Sequence, residues 1–182
     1  MKTAKPFPTP HAWHNLANTE LYISNITKAL IAADPSNKTD YEHNGQAYLK
    51  KRSTPCSPRP KPSSVRCRQV IAKIVTSHDA FGYLGQAYGI DFMAPQGLST
   101  EREPSAAEVA ALITQIRQAK VKAVFMENIK DARLLKQIAD ESGAHIGGTL
   151  YSDALAATGP ASTFAGLFEY NLNTLYEALS KP

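Results

Sequence analysis

Three polar residues in this chain stand where chemistry could be done: His11, His78 and Asp153. His78 lies in the corner Ser77-His78-Asp79, just past an apolar, β-branched run from Ile71 to Thr76 that reads as a buried strand. Asp153 closes a similar corner, Tyr151-Ser152-Asp153, after a strand-like run from His145 to Leu150. Ligands of open α/β sheets bind just past the carboxyl ends of strands, so His78 and Asp153 can face one crevice. His11 opens a helical stretch in a different part of the chain. Two imidazoles and a carboxylate suit a borderline divalent ion such as zinc, or manganese or iron with less preference for nitrogen. The intervals are long, 67 residues from His11 to His78 and 75 from His78 to Asp153, so spacing alone does not select a metal site. By itself, His78 reads equally well as a loop histidine or a helix cap.

Other candidates carry less. His11 and His14, at i and i+3, could share a helical face, but such a pair is more often one ligand or cap and one exposed residue. His43 and His145 have only solvent-exposed or packing readings. Glu127, at the end of an apolar run from Val121 to Met126, is the best unassigned acid, with a cap or a salt bridge near the crevice favoured over ligation. Serine-hydrolase, P-loop and dinucleotide-binding motifs are missing, and Gly147-Gly148 lacks the third spaced glycine.

The elements that must position these residues are legible from periodicity. Asn15 to Ala33 is helical, with Ile23, Ile26 and Leu30 on one face, and Asp34-Pro35 stops it. A second helical segment starts near Ser36 and runs through Leu49. From Ile71 onward, strands at 71–76, 90–94, 121–126 and 145–150 alternate with helices at 80–88, from Ser105, at 131–142 and at 163–179. Ser105-Ala-Ala-Glu108 is a capping box, and Gly89 and Gly143 are helix stops. Such alternation predicts an α/β fold with a parallel sheet flanked by helices.

Charge is distributed unevenly. The net charge is +4, but no acid lies between Glu42 and Asp79, an interval that holds eight basic residues. Without those eight, 12 basic residues face 16 acidic ones, so the rest of the chain is mildly acidic. The basic stretch lacks interleaved aromatics, which argues against nucleic acid as a partner. No run of 18 apolar residues is present, so no transmembrane helix is expected. The first residues have no apolar core of a signal peptide, which would leave the chain as written in the cytoplasm.

Four stretches, Val75–Tyr83, Pro95–Glu101, Val124–Ile129 and Gly148–Leu155, together with Pro10-His11-Ala12-Trp13, resemble the metal-binding (zinc and manganese type) substrate-binding proteins of ABC transporters. The resemblance covers about 9–51 and 71–180. It implies two α/β lobes joined by a long helix, a metal held between them by four ligands, and delivery of that metal to a membrane permease from the periplasm. It implies no enzyme activity. By motif, His11 matches the second ligand of the first lobe, His78 the third ligand and Asp153 the fourth. A histidine in the third place implies zinc, with manganese next.

On this resemblance, residues 1–35 are what is left of an N-terminal lobe, 36–70 a linking helix running into an aberrant segment, and 71–182 the C-terminal lobe. Most of the first lobe, with its own histidine ligand, would be missing, which leads one to expect weakened binding. The family is expected to be monomeric, and loss of the first lobe would favour self-association. Thr9 stands where the motif usually has Asp. Residues 52–70 are rich in Pro, Arg and Ser where a helix is expected, and read as a segment translated out of frame. The alternative function is a non-transporting remnant, or decayed gene product, with weak metal binding.

Overall fold

The computed structural model describes residues 10–53, 73–93, 105–121, 123–128 and 132–180. Of the 52–70 segment read as out of frame, residues 54–70 lie outside them, as does the Pro95–Glu101 stretch.

Four strands form the sheet: β1 (Lys73–Val75), β2 (Asp91–Met93), β3 (Ala123–Glu127) and β4 (His145–Leu150). Their order is β2-β1-β3-β4 and every pairing is parallel. The helices of this lobe are α3 (Gly82–Tyr88), α4 (Ala106–Ala119), α5 (Ala132–Ser142) and α6 (Phe164–Ser180). The expected α/β fold is therefore present. Successive strand residues point to opposite faces. Ile74, Ala123, Phe125 and Leu150 pack with Phe81, Leu84, Phe168, Leu172 and Leu175, under α3 and α6. Val75 and Val124 pack with Val109, Leu112, Ile113, Ile116, Leu135 and Ile138, under α4 and α5. Burial on both faces explains why the central strands β1 and β3 read as apolar runs rather than alternating ones. Each buried Phe or Leu contributes about 1.5–3 kcal/mol relative to exposure.

The helix predicted from Ala80 begins two residues later, at Gly82. Thr76 Oγ1 and the Ala80 N–H both donate to the His78 carbonyl, each at 3.0 Å, and this turn occupies the residues before the helix. The capping box at α4 is present, with the Ser105 N–H donating to Glu108 Oε2 at 2.7 Å. Between Val124 and Phe125 the β3–β4 register shifts, so that Phe125 pairs with Gly148. Periodicity gave no sign of this bulge. It explains the two glycines: a Cβ on Gly147 would lie 2.5 Å from the Phe125 ring, and Gly148 has φ +136°.

Ahead of this lobe come a 3-10 turn (Ala12–His14), α1 (Leu16–Ala33) and α2 (Lys38–Ser53). Asn15 caps α1 by accepting from the Ala17 N–H at 2.9 Å. Asp34 Oδ2 accepts from Asn37 Nδ2 and Tyr41 Oη, which fixes the bend between the two helices. They pack on each other, closely enough that a Cβ on Gly45 would lie 2.6 Å from Thr27 Oγ1. Only Thr19 of α1 is buried, and Leu21, Ile26 and Leu30 of the predicted apolar helix are exposed. Trp13, Tyr22, Ile23, Ile26, Tyr48 and Phe164 line an open apolar cleft of about 440 Å³ beside them.

Candidate metal centre

The sheet order changes direction at β1: the chain steps to β2 on one side and later returns to β3 on the other. Such a switch point opens a crevice at the carboxyl ends of the two strands. His78 follows β1 there, Glu127 ends β3, and Asp153 follows β4 one strand further along.

Each corner is braced by hydrogen bonds. Asn128, next to Glu127, accepts from the Ser152 N–H at 3.3 Å and donates from Nδ2 to the Ala154 carbonyl at 3.1 Å, holding the turn that carries Asp153. The buried Asn171 of α6 accepts from the Tyr151 N–H at 2.9 Å and donates to its carbonyl at 2.8 Å. The segment bearing His11 is fixed to the same turn. Trp13 Nε1–H donates to the Ser152 carbonyl at 3.1 Å, and His14 Nε2 lies 3.1 Å from that oxygen. A carbonyl only accepts, so His14 Nε2 carries the hydrogen.

This brings the three predicted residues together. His11, His78 and Asp153 each offer one donor atom, all within 4.8 Å of one another. His11 Nε2 lies 3.1 Å from Asp153 Oδ1, and His78 Nε2 lies 3.2 Å from Oδ2. Metal–ligand bonds of about 2.0–2.1 Å at tetrahedral angles separate neighbouring donors by roughly 3.3 Å, close to the distance of each histidine nitrogen from one oxygen of Asp153. The two histidine side chains are 13% and 10% exposed and the aspartate 30%, so the group opens to solvent on the Asp153 side. Their rings meet edge to face at 5.1 Å, and Trp13 flanks His11 at 5.3 Å.

Three further residues complete the site. Glu127 has a fully buried side chain whose Oε2 lies 2.6 Å from His78 Nδ1, and its Oε1 accepts from the His78 N–H at 2.9 Å. The salt-bridge reading of Glu127 is the one that the geometry matches. Burial pushes its carboxyl up, but the hydrogen bond and charge of His78 outweigh this and leave it lower than usual. His14 departs from the expected exposed member of the pair: it is buried against Phe81, rings 4.7 Å apart. Burial lowers its pKa to about 4, although the Ser152 carbonyl favours the charged form. Asn128 was not singled out by sequence, although it lies at a strand end beside Glu127 within the Val124–Ile129 stretch that carries the family resemblance. His43 and His145 are exposed, as anticipated.

Comparison with known proteins follows the same lines. The family described as "Zinc-uptake complex component A periplasmic" matches residues 4–178. The chain is similar to FimA of Streptococcus parasanguinis, a metal ABC transporter substrate-binding lipoprotein, with 35% identity over 173 residues. That match takes in 94% of this chain and 56% of FimA, so the chain spans about half the length of this relative. Among solved structures, it is similar to a periplasmic metal-binding protein of Candidatus Liberibacter asiaticus, at 32% identity and a TM-score of 0.78, covering 98% of this chain and 66% of that one. Forms of that protein with manganese or cadmium bound also match. The periplasmic zinc-binding protein TroA of Treponema pallidum is similar at 26% identity and a TM-score of 0.77, covering 94% of this chain and 64% of that one.

Proposed function

The chain belongs to the family of periplasmic zinc-uptake component A proteins, and from that premise we propose that it binds a divalent transition-metal ion, zinc first and manganese next, as cargo for an ABC-type permease. His11, His78 and Asp153 are the proposed ligands. The observation that carries the reading is the convergence of their three donor atoms within 4.8 Å from places 67 and 75 residues apart. Two nitrogen donors support zinc over manganese, which prefers oxygen. FimA is named for a metal, the Liberibacter structures hold manganese or cadmium, and TroA is named for zinc, so the relatives support metal binding more broadly than any one ion.

The three ligands leave a tetrahedral ion one position for water or a further donor. In this reading residues 1–35 belong to an N-terminal lobe, 36–70 to the helix linking the lobes, and 71–182 to the C-terminal lobe. In this reading the protein works in the periplasm with an ABC-type permease as its membrane partner, which the family's description as a periplasmic uptake component supports. Among the described residues no helix is long and apolar enough to cross a membrane.

Calorimetric titration of the metal-free protein with zinc, and separately with manganese, tests the proposal. One ion per chain is expected, with zinc the tighter. His78→Ala is expected to lose at least about tenfold in zinc affinity, roughly 1.4 kcal/mol. Equal affinity in both proteins would remove His78 from the site, and tighter manganese than zinc would reverse the preference.

A further inference from the structure

We propose that Glu127 is the positioning residue of this site, holding the His78 ring with its proton on Nδ1 so that the Nε2 lone pair is presented to the ion. The inference rests on the metal-binding reading above and concerns a residue that never touches the ion.

The geometry makes the case. Glu127 grips one residue at two points, accepting the His78 backbone N–H on Oε1 at 2.9 Å and facing Nδ1 with Oε2 at 2.6 Å. Two contacts from one rigid, buried carboxylate fix both the place of His78 and the rotation of its ring. A neutral imidazole has one N–H, and two carboxylates compete for it. Glu127, with no side-chain exposure, faces Nδ1 at 2.6 Å; Asp153, 30% exposed, faces Nε2 at 3.2 Å. The buried carboxylate has the greater need of a donor, because an unpartnered charge costs far more inside than at the surface. The contact to Glu127 is also the shorter of the two. The proton therefore sits on Nδ1, and Nε2 is left as the donor that faces Asp153 and His11. A carboxylate behind a ligand histidine also raises the basicity of the ligating nitrogen, and removing such a partner typically weakens metal affinity 10–100-fold.

Glu127→Gln separates this role from a purely structural one. The glutamine oxygen still accepts the His78 backbone N–H, so the corner is kept. Its NH₂ group now faces Nδ1, which must become an acceptor, and the proton moves to Nε2, where it competes with the ion.

The test combines ¹⁵N NMR of the imidazole nitrogens, in metal-free protein at a pH where His78 is neutral, with zinc titration and urea unfolding. Wild type is expected to show the Nδ1–H tautomer. Glu127→Gln is expected to show Nε2–H, a zinc affinity lower by about 10–100-fold, and an unchanged urea midpoint. An Nε2–H tautomer in wild type overturns the proposal, and so does a Glu127→Gln zinc affinity within twofold of wild type. If the variant does not fold, the wild-type tautomer decides. If wild type binds no zinc, the metal-binding reading falls, while the tautomer result still stands or fails by itself.

Discussion

His11 and His14 are three residues apart and end in opposite surroundings. His11 faces Asp153 beside the crevice, while His14 is buried and spends its Nε2–H on the Ser152 carbonyl. The i, i+3 spacing alone cannot tell these apart, because the deciding partner lies 138 residues away. The same holds for Glu127, whose partner is 49 residues distant. The polar corners alone left His11, His78 and Asp153 open, and only the family motifs around them singled them out as a set; of the residues that brace them, Glu127 was legible as a salt-bridging acid and Asn128 and Asn171 were not. The buried His14 makes a test. Its folded pKa, about 4, lies below the ordinary 6.5, so the unfolded chain binds more protons between those values. Stability from this residue is complete above the unfolded pKa and is lost as pH falls from about 6.5 toward 4. Urea unfolding of the metal-free protein at pH 7 and pH 5 should show wild type losing roughly 2 kcal/mol more than His14→Gln does. Equal losses would mean that His14 is not held neutral in the fold.

Strands and helices were the most legible level, because caps, stops and apolar faces are local chemistry. The capping box at Ser105 is an instance: Ser105→Ala should cost about 0.5–2 kcal/mol of stability while leaving zinc affinity unchanged, since α4 lies on the face away from His11. A fall in zinc affinity beyond the experimental scatter would couple α4 to the site. The bulge in β4 was not legible, because it depends on where β4 meets Phe125 across the sheet rather than on β4 itself. Gly147-Gly148 looked like a fragment of a nucleotide motif and turns out to serve the register. Gly147→Ala would drive a methyl to 2.5 Å from the Phe125 ring. Overpacking of this kind costs typically about 1–3 kcal/mol. The urea midpoint should fall accordingly, and an unchanged midpoint would mean that the bulge yields without cost.

For the whole molecule, the site joins two parts of the chain that are far apart in sequence. The sheet supplies His78 and Asp153, and the segment before α1 supplies His11. Two hydrogen bonds to one oxygen, from Trp13 and His14, fasten that segment to the turn bearing Asp153. Trp13→Phe keeps an aromatic ring but removes the Nε1 donor. It should weaken zinc binding by less than His11→Ala does in the same titration, and an equal or larger loss would give Trp13 more than a fastening role. Neither apolar period nor motif revealed this attachment. Of the apolar face that periodicity gives α1, Ile26 and Leu30 are exposed, as is the neighbouring Leu21, while the sheet takes its cover from α3 to α6. Zinc that binds only the folded chain should also raise its stability, by about 2.7 kcal/mol at free zinc 100-fold above Kd.

The central claim, that His11, His78 and Asp153 together hold the ion, is tested most directly by anomalous diffraction at the zinc edge from crystals of the zinc-loaded protein. One strong peak is predicted at about 2.0–2.2 Å from Nε2 of both histidines and from a carboxylate oxygen of Asp153. A zinc peak elsewhere, with those three side chains standing clear of it, would contradict the account.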